Sequence, residues 1–154
     1  MGSYKVEPVG RVEGGRAEAV DDGWGTSRAI IRLDAARFGP EALKGLETFS
    51  HAEIVFLFDR VAESDIETGA RHPRGRKDWP KVGIFAQRGK DRPNRIGVST
   101  CRIVAVEGVA IEVEGLDAIE GTPVLDIKPV LSGFLPRGEI REPDWAREIM
   151  QSYW

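Results

Sequence analysis

The sequence predicts a mainly β protein, a small antiparallel barrel or sandwich with one or two short helices, one of them C-terminal. Short β-branched and aromatic segments recur and are separated by turn residues, among the 18 glycines and nine prolines of 154 residues. The strands recur with little room between them for crossover helices, which favours an antiparallel barrel or sandwich over a doubly wound sheet. With 41% apolar and 31% charged residues, we expect residues 1–154 to form one globular domain.

Seven segments have the composition of strands. The first alternates loosely between polar and apolar residues, and the third is too apolar and too rich in β-branched residues for a surface helix. Glu107 and Gly108, between two of the segments, are typical of a tight hairpin turn. In chain order the predicted strands are Tyr4–Val12, Ser27–Leu33, Ala52–Val61, Val82–Gln87, Arg102–Val106, Val109–Val113 and Val124–Val130.

Two short helices are also predicted. Pro40–Gly45 starts with a proline, which the first turn of a helix tolerates, and stops at a glycine, which gives about two turns. Asp144–Gln151 starts with an aspartate that we expect to be its N-cap. Trp145, Ile149 and Tyr153 follow each other at intervals of four residues, so we expect this apolar stripe to pack against the body of the protein.

Charge is distributed unevenly along the chain. The basic segment, Arg71 to Gly97, carries nine basic and two acidic residues, a net charge of +7. The rest of the chain carries 13 basic and 23 acidic residues, a net charge of −10. A basic segment stiffened by glycine and proline within an acidic body predicts a site for an anion or an electron-rich ligand.

Several common chemistries have no support in the sequence. It contains neither a Gly-x-Gly-x-x-Gly nor a Gly-x-x-x-x-Gly-Lys-Ser/Thr motif, which argues against a Rossmann nucleotide site and a P-loop ATPase. Two histidines and one cysteine cannot supply four Cys/His zinc ligands, and we assign no metal. His51, just before a predicted strand, is expected to be structural, whereas His72 in the basic segment has either a structural or a ligand-binding role.

The sequence also predicts a cytoplasmic protein with no membrane partner. No apolar run approaches the roughly 20 residues that span a bilayer, and the N-terminus lacks the apolar stretch of a signal peptide. Cys101 is the only cysteine, so it forms no internal disulfide, as is usual for intracellular proteins. We expect Cys101 to be a small buried strand residue and not a nucleophile.

Three motifs, in the same order along the chain, resemble the TsaA-like (TrmO, YaeB) family. They are Gly45–His51, Gly83–Ser99 with its Arg-Pro-Asn turn, and Gly115–Pro129. The resemblance covers the chain from about Tyr4 to about Pro136. It implies a small β-barrel that works as a homodimer and uses S-adenosylmethionine without a Rossmann sheet. It also implies methyl transfer to the exocyclic amine of threonylcarbamoyladenosine, next to the anticodon of certain tRNAs.

The resemblance further implies which residues contact the cofactor. An arginine fork suits the cofactor's carboxylate, and a loop aspartate can accept from its hydroxyls or amines. For three of these residues a structural role is the alternative: Arg88 as a solvent-facing charge, Asp117 as a turn cap and Trp24 as a core residue. The predicted cofactor contacts are Trp24, Asp59, Arg60, Arg88, Val98, Asp117, Ala118, Ile119 and Glu120.

The basic segment supplies the predicted substrate contacts, His72, Arg74, Arg92 and Arg95. Pro93 and Asn94 are typical of a stiff turn, which in the functional interpretation places Arg88 and Arg92 around a shared pocket. Asp126 and Lys128 lie two apart in a predicted strand and form either a surface ion pair or part of the site.

Several positions depart from the usual pattern of the tRNA-modifying members. A second proline is usual where Arg95 stands, His-Gln is common where Asp59 and Arg60 stand, and Gln87–Asp91 also differs. Three functions therefore stay open: a tRNA methyltransferase, a methyltransferase of a small molecule, and a non-catalytic binding module. Methyl transfer from a sulfonium needs alignment more than it needs a metal or a base, so we assign no catalytic base.

Overall fold

The computed structural model describes the whole chain, Met1–Trp154, as a closed antiparallel barrel of six strands with a small separate sheet and one α-helix. Around the barrel the strands follow the order β1-β2-β7-β6-β3-β8, and β4 pairs with β5 outside it. Closure leaves the barrel with no open sheet edge of full length. The elements are β1 (Gly10–Glu13), β2 (Arg28–Leu33), β3 (His51–Leu57), β4 (Ala70–Arg71), β5 (Val82–Gly83), β6 (Ile96–Glu107), β7 (Ala110–Glu114), β8 (Pro123–Pro129) and α1 (Asp144–Met150).

Short 3-10 turns connect many of these elements. They replace longer helices because glycines and prolines interrupt the sequence every few residues. The turns are Pro40–Leu43, Leu46–Thr48, Glu63–Asp65, Pro73–Gly75, Ile84–Ala86, Pro93–Arg95 and Ser132–Phe134.

The core fills the barrel interior with the inward-facing residues of each strand. In β2 and β3 every second residue is buried, which is the period of a strand with one face towards a core. Ile31, Ile54, Phe56 and Ile111 are fully buried. Each such side chain contributes about 1.5–3 kcal/mol through removal of its apolar surface from water.

Three of the longer connections between strands emerge at the same end of the barrel. β3 ends where β6 and β8 begin, because Leu57 lies opposite Ile96 and Phe56 lies opposite Val124. Gly10 of β1 also lies opposite Val124, so β1 runs towards the same end. The connections after β1, β3 and β7, residues 14–27, 58–95 and 115–122, therefore emerge together, and nearly all of the basic segment lies in the second of them.

Most predicted strands are confirmed, with shifted ends. β2, β7 and β8 match their predicted ranges within about one residue, and the hairpin between β6 and β7 turns at Glu107 and Gly108. β6 begins at Ile96, well before the predicted start, and β3 stops at Leu57. The first strand is limited to Gly10–Glu13, so residues 4–9 are not strand as predicted.

The predicted strand over Val82–Gln87 is wrong beyond Gly83. The buried side-chain amide of Gln87 donates to the carbonyls of Val82 (2.9 Å) and Arg71 (3.0 Å), which closes the chain into the turn Ile84–Ala86. The helix predicted over Pro40–Gly45 is a single 3-10 turn, Pro40–Leu43.

The C-terminal helix is confirmed as α1, but its N-cap is Pro143 and not Asp144, which lies in the first turn without a capping hydrogen bond. The predicted stripe of Trp145, Ile149 and Tyr153 is partly buried, although Tyr153 lies beyond the end of the helix. None of the helices in the structure combines the length and the apolar character that crossing a membrane requires.

Candidate functional site

The centre of the candidate site is the carboxylate of Asp117, in the loop between β7 and β8. It is partly buried and accepts hydrogen bonds on both oxygens. The hydroxyl of Ser99, on β6, donates to Oδ1, and the hydroxyl of Tyr153, after α1, donates to Oδ2. Two donors from distant parts of the chain therefore fix the orientation of this carboxylate, while each oxygen keeps a further lone pair for another donor.

Burial raises the pKa of the Asp117 carboxyl, and the hydrogen bond from Tyr153 and the positive charge of Arg88 act in the opposite direction. Burial and the neighbouring Asp117 charge also raise the pKa of the Tyr153 hydroxyl, so that Tyr153 keeps its proton and serves as the donor. Tyr153 is thus the donor and Asp117 the acceptor of this partly buried pair.

Cys101 lies two residues after Ser99 and is buried, as predicted. Burial, together with the Asp117 charge, raises the pKa of its thiol to about 12. A thiol with this pKa is essentially never a thiolate at neutral pH, so Cys101 is a core residue and not a nucleophile.

Arg88 and Val98, both predicted cofactor contacts, are directly joined in this structure. Arg88 Nη2 donates a 2.7 Å hydrogen bond to the carbonyl of Val98, and Arg88 forms no ion pair. The Arg88 side chain is exposed, yet its positive charge acts to lower the pKa of both Asp117 and Tyr153. The guanidinium has five N–H donors, so the bond to Val98 orients it and leaves donors for an anion.

The predicted contacts at the end of β3 meet the same loop. Arg60 Nη2 lies 3.4 Å from the carbonyl of Glu120, and both residues are exposed, as is Asp59. The backbone amides of Ala118 and Ile119 donate no hydrogen bond within the chain. Ala118 is only 5% exposed and belongs to the core, so the amide of the partly exposed Ile119 is the better placed of the two to meet solvent or a ligand.

Trp24 is buried, whereas stacking on a ligand requires an exposed ring face. Only 3% of its surface is exposed, its indole N–H donates to the carbonyl of Val20 at 3.1 Å, and the guanidinium of Arg16 lies 4.5 Å from its ring centroid. This geometry supports the structural alternative, in which Trp24 fills the interior beneath the loop 14–27.

The four predicted substrate contacts are all bonded within the protein. Arg74 forms an ion pair with Asp22 (2.9 Å), and His72 Nδ1–H donates to the carbonyl of Trp79 (2.8 Å). Arg92 donates to the carbonyl of Gln87 (2.7 Å) and Arg95 to that of Val61 (2.6 Å). These hydrogen bonds and the ion pair stabilise the loop 58–95. They support the interpretation in which the turn at Arg92, Pro93 and Asn94 is mainly structural.

The sequence interpretation missed Ser99 and the hydroxyl role of Tyr153. The only signal for Ser99 was its place in the alternation of β6. It lies between Gly97 and Cys101, and all three residues face the interior of the barrel. A polar side chain in that phase requires a buried partner. Tyr153 was placed on the apolar stripe, and nothing in its local sequence indicates that its hydroxyl reaches Asp117.

Two surface cavities lie away from the cluster at Asp117. One cavity of about 400 Å³ is lined by residues of β1, β2 and β7, including Glu13, Arg28 and Glu112. Another of about 440 Å³ lies between the 3-10 turns at 40–48 and β8. Neither is lined by a predicted cofactor or substrate contact, although the second includes Asp126.

The closed six-stranded barrel with a polar loop site at one end places the chain among β-barrel proteins and not among those built on a doubly wound sheet. The family model of the tRNA-methyltransferase O N-terminal domain matches residues 22–134. The chain therefore belongs to the tRNA-methyltransferase O (TrmO) family, as the sequence motifs predicted.

Individual relatives agree with this assignment. The human tRNA (adenine(37)-N6)-methyltransferase is 40% identical over 119 residues, which cover 76% of this chain and 26% of that protein. The Escherichia coli protein of the same name is 39% identical over 161 residues, which cover 99% of this chain and 66% of that protein. This chain spans about a quarter of the length of the mammalian relatives. Further relatives carry S-adenosylmethionine in their names.

A crystal structure of TrmO from Pseudomonas aeruginosa has the same fold. It superposes with a TM-score of 0.75 at 28% sequence identity, and the match covers 94% of this chain and 62% of that one. The small antiparallel β-barrel predicted from the sequence is thus confirmed by the fold and by its solved relative.

Proposed function

We propose that this protein is an S-adenosylmethionine-dependent methyltransferase that methylates the exocyclic amine of threonylcarbamoyladenosine next to the tRNA anticodon. Membership of the TrmO family supports the reaction class. The observation that carries the proposal is the cluster at the barrel end, where Asp117, Arg88 and the carbonyl of Val98 lie together.

The groups in this cluster fit the polar parts of S-adenosylmethionine. Asp117 can accept from hydroxyls or an amine, and Arg88 can donate to a carboxylate. The amides of Ala118 and Ile119 have no other partner in the chain. The purine needs an apolar slot that does not come from Trp24, which is already enclosed.

Catalysis in this proposal is chiefly alignment. Bound S-adenosylmethionine supplies a methyl group on a cationic sulfur, which is already activated. Asp117, held by Ser99 and Tyr153, and Arg88, held by Val98, would fix the orientation of the ligand so that an acceptor amine approaches in line. No residue of the chain is assigned as a base, because the amine can lose its proton after transfer.

Exposed lysines of the basic segment are the strongest candidates for contacts to RNA phosphates. Three of the segment's nine basic residues form ion pairs: Arg71 and Arg76 pair with Asp91 and Asp78, the two acids already counted in the net charge of +7, and Arg74 pairs with Asp22 outside the segment. Lys77, Lys81 and Lys90 are exposed and form no ion pair. These lysines, more than His72, Arg74, Arg92 and Arg95, are free to meet a polyanion.

Two of the departures from the usual family pattern have structural explanations here. Gln87 holds the turn after β5, and Arg95 braces the loop at Val61. These two side chains make no hydrogen bond to Asp117, Arg88 or Val98, whereas Arg60, a third departure, lies 3.4 Å from the carbonyl of Glu120 within the candidate site. A small-molecule methyltransferase remains the second hypothesis and is an outcome of the experiment below.

We further propose a cytoplasmic homodimer. The cytoplasmic location follows from the proposed substrate, because an enzyme that modifies tRNA must be in the same compartment as the tRNA. Phe85, Phe134, Leu135 and Ile140 expose between 53% and 88% of their surface, which provides apolar area for contact with a second copy. Light scattering should give twice the chain mass of 17.0 kDa, and a mass of a single chain at micromolar concentration would contradict the dimer.

The direct test is transfer of a labelled methyl group. Purified protein is incubated with labelled S-adenosylmethionine and with tRNA that either carries or lacks threonylcarbamoyladenosine. We expect label only in the modified tRNA, and a loss of at least tenfold in rate for Arg88→Ala, with Arg141→Ala, an exposed arginine without an ion pair, as the matched control. Absence of label in modified tRNA at saturating cofactor would contradict the tRNA hypothesis, and label in a small acceptor alone would favour the second one.

A further inference from the structure

The last residues of the chain are attached to the candidate site by several independent contacts. The amide of Gly23 donates to the carbonyl of Ser152 (2.9 Å), and that of Trp24 donates to the carbonyl of Tyr153 (2.7 Å). The C-terminal tail, residues 151–154, thus lies alongside the loop 14–27 and is joined to it by backbone hydrogen bonds. Trp154 packs edge to face on Tyr153, with 4.9 Å between ring centroids.

Gly25 shows how closely the C-terminal tail is seated. A Cβ added to Gly25 would lie 2.6 Å from the carbonyl carbon of Trp154, closer than two atoms in contact can approach. The close approach is to backbone, so a small rotation of a side chain cannot relieve it. The glycine therefore permits the tail to lie where its tyrosine reaches Asp117.

We infer that the C-terminal tail is part of the cofactor site and that Tyr153 is a positioning residue, which holds the Asp117 carboxylate in the orientation that receives the cofactor. The inference rests on the proposed function for the identity of the ligand. It adds to that function a residue outside the three sequence motifs that carry the family resemblance, and beyond the family-model match at 22–134.

The charge balance around Asp117 explains why a donor is needed there. Ser99 and Tyr153 donate to it, Arg88 is the nearby cation, the neutral Cys101 thiol lies on the core side, and Arg74 lies near Tyr153. Burial favours the protonated carboxyl, and a protonated carboxyl has lost acceptor capacity. The Tyr153 hydroxyl opposes that tendency and so keeps the carboxylate as an acceptor to lower pH.

The test is the pH dependence of binding of S-adenosylhomocysteine, measured by calorimetry on the full chain. The variants are Tyr153→Phe, which removes one oxygen, and Tyr4→Phe, which makes the same change at a residue that is 92% exposed. We expect Tyr153→Phe to weaken binding about tenfold at pH 7 and to move the acid limb of the binding curve to higher pH. Tyr4→Phe should match the unaltered protein at every pH.

The outcomes separate this inference from the proposed function. If the unaltered protein does not bind S-adenosylhomocysteine, the proposed function is contradicted. If it binds and Tyr153→Phe binds with the same affinity and the same acid limb, the role of Tyr153 is contradicted while the function stands. A uniform loss of affinity without a shift of the acid limb would indicate a merely structural role and would also overturn the inference.

A second variant keeps the test valid if Tyr153→Phe folds poorly. Gly25→Ala leaves the tyrosine intact but displaces the C-terminal tail, so it should produce the same upward shift of the acid limb. Gly83→Ala, where no atom lies within 4 Å of the added Cβ, is its control. Unchanged binding by a folded Gly25→Ala protein would count against a role for the tail.

Discussion

The indole N–H of Trp79 donates a 2.7 Å hydrogen bond to the carboxylate of Glu148, which connects the long loop between β3 and β6 to the C-terminal helix α1. Trp79 is buried, and the guanidinium of Arg76 lies 3.9 Å from its ring centroid on the loop side. A residue of the basic segment thus anchors α1, and α1 in turn leads to Tyr153 at the candidate site. The loop and the helix therefore stabilise each other, although neither contains long regular structure.

Removing the acceptor at Glu148 should loosen this attachment. Glu148→Ala leaves the buried indole N–H without its partner, which costs about 1–2 kcal/mol of unfolding free energy. Glu148→Gln retains an acceptor oxygen and should recover most of the loss. Urea denaturation measures both, with Glu139→Ala, an exposed glutamate without an ion pair, as the control. Equal stability of the alanine and glutamine variants would show that the hydrogen bond contributes little.

Gly97 on β6 permits the close packing of two aromatic rings at the candidate-site end of the barrel. A Cβ at this position would lie 2.6 Å from the ring of Phe56 and 2.8 Å from that of Phe58, which meet edge to face. We expect Gly97→Ala to destabilise the protein by about 1–3 kcal/mol, because the buried ring of Phe56 has no space to move. Gly83→Ala should change the unfolding free energy far less. A stable Gly97→Ala protein would mean that the rings repack freely.

The buried thiol of Cys101 should be chemically silent in the folded protein. With a pKa of about 12, only about one thiol in 10⁴ is ionised at pH 8, and the residue is also closed to solvent. Ellman's reagent should therefore label no thiol in the native protein and one thiol per chain in guanidinium. Rapid native labelling would show that the end of the barrel near Asp117 opens readily.

The barrel strands could be predicted from sequence because each presents a strong local signal. Alternation of buried and exposed residues marks β2, and the turn at Gly108 marks the hairpin of β6 and β7. The segment after Val82 could not be predicted correctly, since its apolar composition also suits a strand. What decides against a strand is the Gln87 amide, which bonds to the carbonyl of Arg71, 16 residues earlier. A hydrogen bond between residues this far apart produces no periodic pattern in the sequence, so it could not be predicted.

The candidate site was predictable only in part, for the same reason. Family motifs indicated Arg88, Val98 and Asp117, and the structure places these residues together, although their role in binding stays a prediction. The motifs did not indicate Tyr153, which lies 36 residues after Asp117 and meets it through the fold of the C-terminal tail. Trp24 was misleading because an aromatic residue between two glycines suits a ligand platform and a core residue equally well.

The titration of Asp117 should be visible in the stability of the protein. Since burial raises the folded-state pKa above the ordinary value of 3.8, the folded protein binds more protons than the unfolded chain between those two values. The contribution of Asp117 to stability therefore falls as pH rises through that window and is constant above it. Asp117→Asn should remove this part of the pH dependence, measured by urea denaturation from pH 4 to 7. Asp21→Asn, at an exposed site without an ion pair, should leave the profile unchanged, and identical profiles for all three proteins would contradict the assignment.

The exposed lysines of the basic segment should govern the salt dependence of RNA binding. Each phosphate that a lysine neutralises releases about 0.7–0.9 of a counterion, so the logarithm of affinity falls linearly with the logarithm of salt concentration. Replacing Lys77, Lys81 and Lys90 together by alanine should reduce that slope by about 2–3 and weaken binding of modified and unmodified tRNA equally. The three residues make no ion pair and touch no core residue through a hydrogen bond, so the variant should fold normally.

A control of equal charge is available within the same chain. Lys5, Lys44 and Lys128 are the other three lysines; all are exposed and lie outside the basic segment, and Lys5 and Lys128 pair with Glu7 and Asp126. Their triple replacement removes the same charge from the protein, so it separates local phosphate contact from the effect of net charge. Because the chain as a whole is acidic, at −3, a general electrostatic effect would weaken RNA binding equally in both triple variants. If only the variant at Lys77, Lys81 and Lys90 loses slope, the basic segment is the RNA contact, whereas equal losses or no loss would exclude it.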